Sequence, residues 1–481
     1  MQFDWSVFIN LGIISLALVL ATGLRAAIPF FQRFLIPNAL TAGFLLLPLY
    51  NFVFPLVGLS TAGLEELAYH LLSISFVAMT LRKSTPRKGP KDGRIFATAV
   101  GVISQYGVQA LIGLLVTFIL ISTVLPDLFP AFGMLMPLGF ALGPGQAFAI
   151  GEGWVDAGFA GAGTIGLTFA AVGFIWSSFG GIFLINYAIR RGWLPKNTAE
   201  LLRAKRIRRG VVPRGSAQAV GARLTTESEA IDSMTINAAM VLISYLGSYL
   251  LLNLLSYLLS FAGPMGVELA DTLWGISFIF AALVAMLVKT VFRAAKIDHV
   301  MDSAGLTRIA GLSVDLMVAA AIGAISLVIV GRFWLPIVIM SVLGMISTIL
   351  GVPWLCSRIF KDHPFHRALL VFGVSTGTLS SGLALLRVLD PDFETPVASD
   401  YTYAAGLVFV LVIPFVLAIN LPTLSVTQEN PVFFWLAVLV AVAYIVFSLI
   451  SFLVIARRRA FAKPSQVWLR RDQDESEAMH A

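Results

Sequence analysis

Leu138-Gly139-Phe140-Ala141-Leu142-Gly143-Pro144-Gly145-Gln146-Ala147-Phe148-Ala149-Ile150-Gly151-Glu152-Gly153 is the stretch whose reading decides the fold. It is an apolar run broken at its centre by Gly143-Pro144-Gly145. A second broken run, Leu370 to Leu386 around Ser375-Thr376-Gly377-Thr378, takes the matching place in the other half of the chain. Unwound backbone at membrane depth is tolerated only where it is buried in protein or lines a cavity. Within segments 131–153 and 366–389 each arm has about 10 residues. At about 1.5 Å per residue such an arm reaches only the middle of a roughly 30 Å hydrocarbon core. Both segments therefore read as re-entrant hairpins rather than kinked spans.

The surrounding composition belongs to a membrane protein: 58% of the 481 residues are hydrophobic, 12% are charged and mean hydropathy is +0.89. A soluble domain is excluded. Apolar stretches near the roughly 20 residues needed to cross a bilayer recur at 5–28, 36–57, 65–81, 95–123, 162–189, 234–261, 270–292, 305–328, 333–355, 402–421 and 432–456. The expected fold is an all-α polytopic membrane protein with eleven spans and two hairpins.

Lys and Arg orient it, because short cytoplasmic loops are enriched in positive charge. Arg25 to Arg33, Arg82 to Arg94 with six Lys/Arg, Arg190 to Arg223 with ten, Lys289 to Lys296, Arg358 to Arg367 and the tail from Arg457 all fall on one side. The segments 57–66, 124–130, 262–269 and 422–431 carry none, and only Arg332 breaks the alternation. The N-terminus is expected outside and the C-terminus in the cytoplasm. Five spans precede the basic linker, so the second half enters with the opposite orientation and the hairpins dip in from opposite faces, as in inverted repeats. The division is 1–190 for the first repeat, 191–232 for a basic, mobile linker, 233–422 for the second repeat, and 423–481 for an extra span and a mobile polar tail. Laying Leu72 to Met79 on Leu312 to Ala319, and Phe183 to Asn186 on Leu417 to Asn420, supports the same order.

Other features set bounds. The first span, preceded by Asp4 and no Lys or Arg, is too long for a signal-peptide core and reads as retained. A lone Cys356 excludes an intramolecular disulfide. His70, His299, His363, His366 and His480 form no metal-ligand spacing, so no enzyme, resident cofactor or metal centre is expected. The net charge of +7 sits in cytoplasmic loops, where it suits orientation and anionic lipid rather than nucleic acid.

Interrupted segments at corresponding positions of two repeats are where secondary transporters bind substrate and ion. Helix N-termini at the tips offer amides to an anionic substrate, which singles out Gly145, Gln146, Gly377, Thr378 and Ser381. Carbonyls and hydroxyls suit a hard cation such as Na⁺, with Ser375, Thr376 and Ser380 as candidates. Asp315 lies mid-span, where a carboxylate costs about 2.5–3.5 kcal/mol on insertion scales, and is a further cation candidate. Arg387 either clamps a substrate carboxylate or pairs with Asp390 or Asp392 near the surface. Glu152 is either a coupling carboxylate or an interfacial one beside Asp156. Asn186 and Asn420 are either cation-site amides or interhelical hydrogen bonders.

Three places carry a family resemblance: Ile36-Pro37-Asn38-Ala39-Leu40-Thr41-Ala42-Gly43-Phe44-Leu45-Leu46; the Gly-rich run from Gly143 with Phe169-Ala170-Ala171-Val172-Gly173 and Gly180-Gly181; and the run from Gly373 with Val412-Ile413-Pro414. Over most of residues 5–421 the chain resembles the bacterial sodium/glutamate symporter family. It departs at the tips, where Gly143-Pro144-Gly145-Gln146-Ala147 replaces a Gly-Gly-His-Gly-Thr type of loop and the second loop lacks a Gly-Phe-Gly run. The resemblance implies sodium-driven symport of glutamate or a related small carboxylate by a homodimer in the bacterial inner membrane. It also implies an elevator-like shift of the part that holds the hairpins. Carriage of another organic anion such as a 2-hydroxycarboxylate, or a sensor that no longer transports, are the alternatives.

Overall fold

The structure is a computed structural model and is described for residues 5–34, 36–83, 93–194, 224–227, 229–261, 263–390 and 395–462. Most of the basic linker, the tail from Lys463, Asp4 and Asp392 lie outside the described residues, so the expected mobility of linker and tail falls there too. Every regular element among the described residues is helical. Among the described residues eleven helices are long and apolar enough to cross a membrane.

In the first half these are α1 (Ser6–Ala27), α3 (Asn38–Val57), α4 (Ala62–Leu81), α5 (Arg94–Thr123) and α8 (Ala162–Arg190), with a short α2 (Pro29–Phe34) after α1. In the second half they are α9 (Ser233–Ser260), α11 (Ser277–Ala294), α12 (Ser303–Gly323), α14 (Trp334–Ile359) and α17 (Val397–Ala418, prolonged by α18, Leu421–Thr427). The helix α19 (Val432–Ala456) follows. Short helices α10 (Pro264–Gly275) and α13 (Leu327–Arg332) lie between. The broken segments are α6 (Phe132–Leu142) with α7 (Pro144–Glu152), and α15 (Pro364–Ser375) with α16 (Leu379–Leu389).

Local chemistry places several ends. The Asp232 carboxylate accepts from the amides of Met234 and Thr235 at the start of α9, and Asp302 does the same for Ala304 and Gly305 at the start of α12. In α3 and α6 a π turn follows directly after Pro48 and Pro137, where the missing N–H lets the hydrogen-bond ladder slip by one residue. Large apolar side chains are exposed along α9 and α19, among them Leu246, Leu250, Leu254, Leu439, Ile450 and Val454. Leaving such a surface in water would cost about 25 cal/mol per Å². This is a multi-pass membrane protein.

Two groups of helices emerge from the packing. In one, α3 packs on α12 as α11 packs on α4, α1 on α3 as α9 on α11, and α4 on α12. Exchanging each first-half helix for its second-half counterpart reproduces these pairs. The exchange reaches single residues: the Asn10 side chain of α1 lies over Gly63 at the start of α4, and Asn237 of α9 lies over Gly305 at the start of α12. In the other group α17 and α19 pack on α5, α14 packs on both α5 and α8, and the broken segments lie against α5 and α8. There α5 and α6 cross so closely that a Cβ on Gly113 would run into the Gly133 carbonyl oxygen.

Candidate functional site

The course of each broken segment can be followed against α8. Phe129, Phe132 and Trp154 all pack on Phe159, just before α8 begins. Deeper in, Gly139 meets Gly166 and Ala170, whereas on the return arm Ala147 meets Gly166 and Gly151 meets Gly163. α6 and α7 thus run down and back along the first half of α8. The second segment approaches from the other end, with Leu385 against Gly181 and Phe372 against Gly180. Its arms cross where Gly373 touches Gly382, and its turn reaches Gly173, whose Cβ would lie 2.6 Å from the Thr376 carbonyl oxygen.

The two turns meet near the middle of α8. A Cβ on Gly143 would be 3.3 Å from Thr378 Cγ2 and 3.4 Å from Gln146 Oε1. Gly143 has φ +106° and ψ 170°, a conformation that residues with a Cβ essentially do not adopt. Gly145 presses on the other helix group, where a Cβ would fall 2.7 Å from Leu72 Cδ1 of α4 and 2.8 Å from Met317 Sδ of α12.

The junction is rich in unsatisfied polar groups. The first intrahelical bonds of α7 and α16 run from Ala147 N to Gly143 O and from Gly382 N to Thr378 O. The amides of Gly145 and Gln146, and of Leu379, Ser380 and Ser381, therefore have no intrahelical acceptor. Two helix N-termini, each with partial positive charge, converge there. The hydroxyls of Ser375 and Ser381 are buried with no hydrogen-bond partner among the described residues. Ser381 Oγ lies over Gly377, and the Thr376 hydroxyl donates to Phe372 O at 2.7 Å.

The structure thus brings together Gly145, Gln146, Ser375, Thr376, Gly377, Thr378 and Ser381. It does not bring the other candidates to the junction. Arg387 is exposed toward the far end of α16, nine residues beyond Thr378, or about 13 Å at the helical rise. Asp315 is exposed on α12, two residues before Met317. Asn186 is exposed near the end of α8 and donates to its own helix at Ile182 O, 2.9 Å away. Asn420 is buried where the first segment begins and ends, its Oδ1 accepting from the Trp154 indole at 2.7 Å. Glu152 is exposed against Gly163, at that same level.

Sequence reading missed two features. Gln109 of α5 is fully buried; its Nε2 donates to the Ser375 carbonyl at 3.0 Å and its Oε1 has no partner among the described residues. An amide inside a 30-residue apolar helix was the available signal. The second feature lies at the start of α15, where Arg367, 1% exposed, bonds Asp362 at 2.7 Å and Asp400 at 2.8 Å, and Arg94 bonds Asp362 at 3.0 Å. Burial raises the Asp362 carboxyl, but Arg367 and Arg94 outweigh it and hold the group below the usual carboxylate range. This network joins α5, α15, α17 and the connection after α14, so it anchors the second segment. Arg367 reads in the sequence as one more basic loop residue. No family model, curated protein or solved structure matches this chain.

Proposed function

We propose that the protein is an ion-coupled secondary transporter that binds a small anion, glutamate or a related carboxylate, where the two turns meet, with Na⁺ as coupling ion. The observation that carries this reading is the convergence of two helix N-termini with the unpartnered hydroxyls of Ser375 and Ser381 beside α8. Amides of Gly145, Gln146 and Ser381 would hold the carboxylate; Ser375, Thr376 and the Gln109 carbonyl would serve the cation. The choice of glutamate and sodium rests on the family resemblance.

In this reading the halves are inverted repeats, each of five spans with a re-entrant hairpin, and α19 is an addition. The exchanged helix pairs and the Asn-over-Gly contacts support it; they shift the register of α4 on α12 by two residues from the sequence alignment. The α8 group with its hairpins would slide against the α1, α3, α4, α9, α11 and α12 group, in a homodimer of the inner membrane with its C-terminus in the cytoplasm. Purified protein in proteoliposomes should show Na⁺-gradient-driven uptake and counterflow of one member of a panel of glutamate, aspartate, other dicarboxylates and 2-hydroxycarboxylates. Thermal stabilisation by a panel member without counterflow would assign a sensor instead, and no response to any member with Na⁺, K⁺ or Li⁺ would remove the reading.

A further inference from the structure

A cavity of about 270 Å³ opens between α2, α3 and α8, walled by Phe30, Leu40, Phe44, Ile175 and Phe179 among others. Only the Thr41 and Ser178 hydroxyls interrupt its apolar lining. Phe30, Phe44 and Ile175 are 48%, 38% and 37% exposed, so the cavity communicates with the surface that the bilayer covers. Its size lies just below that of drug-sized ligand pockets, which run from roughly 300 to 1,000 Å³. Such a space suits an apolar chain and offers nothing to an anionic solute.

Its rim has the opposite character. Arg25 Nη1 donates to the carbonyl of the wall residue Ile36 at 3.1 Å. The exposed Arg33 has its guanidinium 5.8 Å from the ring of Phe34, which packs 4.3 Å from the ring of the wall residue Phe179. Arg25 and Arg33 thus flank the mouth of an apolar slot, the arrangement by which basic pockets between helices take acidic lipid.

We propose that this cavity binds an anionic glycerophospholipid, with one acyl chain in the slot and the phosphate between Arg25 and Arg33. The proposal needs only that the chain lies in a membrane and does not rest on the transport reading. The test uses the full chain in phosphatidylcholine nanodiscs that contain a phosphatidylglycerol with a photoactivatable group midway along one acyl chain, followed by peptide mass spectrometry. Label should concentrate on residues 40–45 and 175–179, and unlabelled phosphatidylglycerol should displace it several-fold more effectively than phosphatidylcholine or glycerol phosphate. Ser178→Phe, which fills the slot, and Arg33→Gln, at an exposed position, should each cut this labelling several-fold and leave that on the outer face of α19 unchanged. Label spread evenly over α9 and α19, or equal displacement by phosphatidylcholine, would reduce the cavity to ordinary contact with bulk lipid. Displacement by glycerol phosphate would make it a site for soluble phosphate. Should Ser178→Phe fail to fold, unchanged labelling of Arg33→Gln would by itself overturn the proposal.

Discussion

Gly373→Ala probes the crossing that holds the second segment in its folded-back shape. An ideal Cβ there lies 2.6 Å from Gly382 Cα and 2.8 Å from Gly382 N, and ordinary contact begins at 3.4 Å. The arms would have to part by roughly 0.8 Å against backbone rather than a flexible side chain. Overpacking of this kind costs about 1–3 kcal/mol, and the better helix propensity of Ala returns at most about 1 kcal/mol. Gly406→Ala is the control, since it sits in α17 with nothing within 4 Å of its Cβ and receives only the propensity term. Thermal denaturation of detergent-purified variants should show a lower midpoint for Gly373→Ala and an equal or higher one for Gly406→Ala. Because α15 and α16 also set the position of Ser375 and Thr378, ligand stabilisation should weaken in the first variant alone. If both variants melt at or above the parent temperature, the arms do not touch at Gly373 and the folded-back geometry is wrong.

Arg367→Met leaves the Asp362 and Asp400 carboxylates without their buried partner and should cost about 3–5 kcal/mol, measured by denaturation in detergent. Asp362 has a lowered folded value, so its contribution is present above about pH 4, the ordinary carboxylate value, and is lost as pH falls through the folded value; Asp362→Asn should lack that acid-sensitive part. Gly143→Ala forces φ +106° on a residue with a Cβ and should cost about 1–3 kcal/mol, with substrate binding lost before folding; binding at parental affinity would show that this turn is not in the site. Arg387→Lys, at an exposed position, should change substrate affinity by under about 1 kcal/mol, and a larger loss would restore it as a carboxylate clamp. A reporter active only outside the cytoplasm should be silent when fused near Arg209 and active when fused within Pro422 to Pro431; the reverse result would invert the orientation.

The span count and most span boundaries were legible in the sequence, because a bilayer demands about 20 continuous apolar residues whatever the helix packs against. Gly143-Pro144-Gly145 and Ser375-Thr376-Gly377-Thr378 were equally legible as breaks, since Pro and Gly act locally on the backbone. Of the candidate site, the turn residues and their hydroxyls were legible, but the side chains that other helices bring to them were not. Gln109, Arg94, Asp362 and Asp400 gained their roles from neighbours distant in sequence, and an isolated amide or charge has no periodicity to announce it. Arg387 and Asp315 were legible as costly charges in apolar runs, whereas which face of its helix each occupies depends on what packs beside it. The meeting of the two turns at the middle of α8 was decided by tertiary structure alone, through glycine contacts at 139, 166 and 173 that let backbones approach where any side chain would hold them apart.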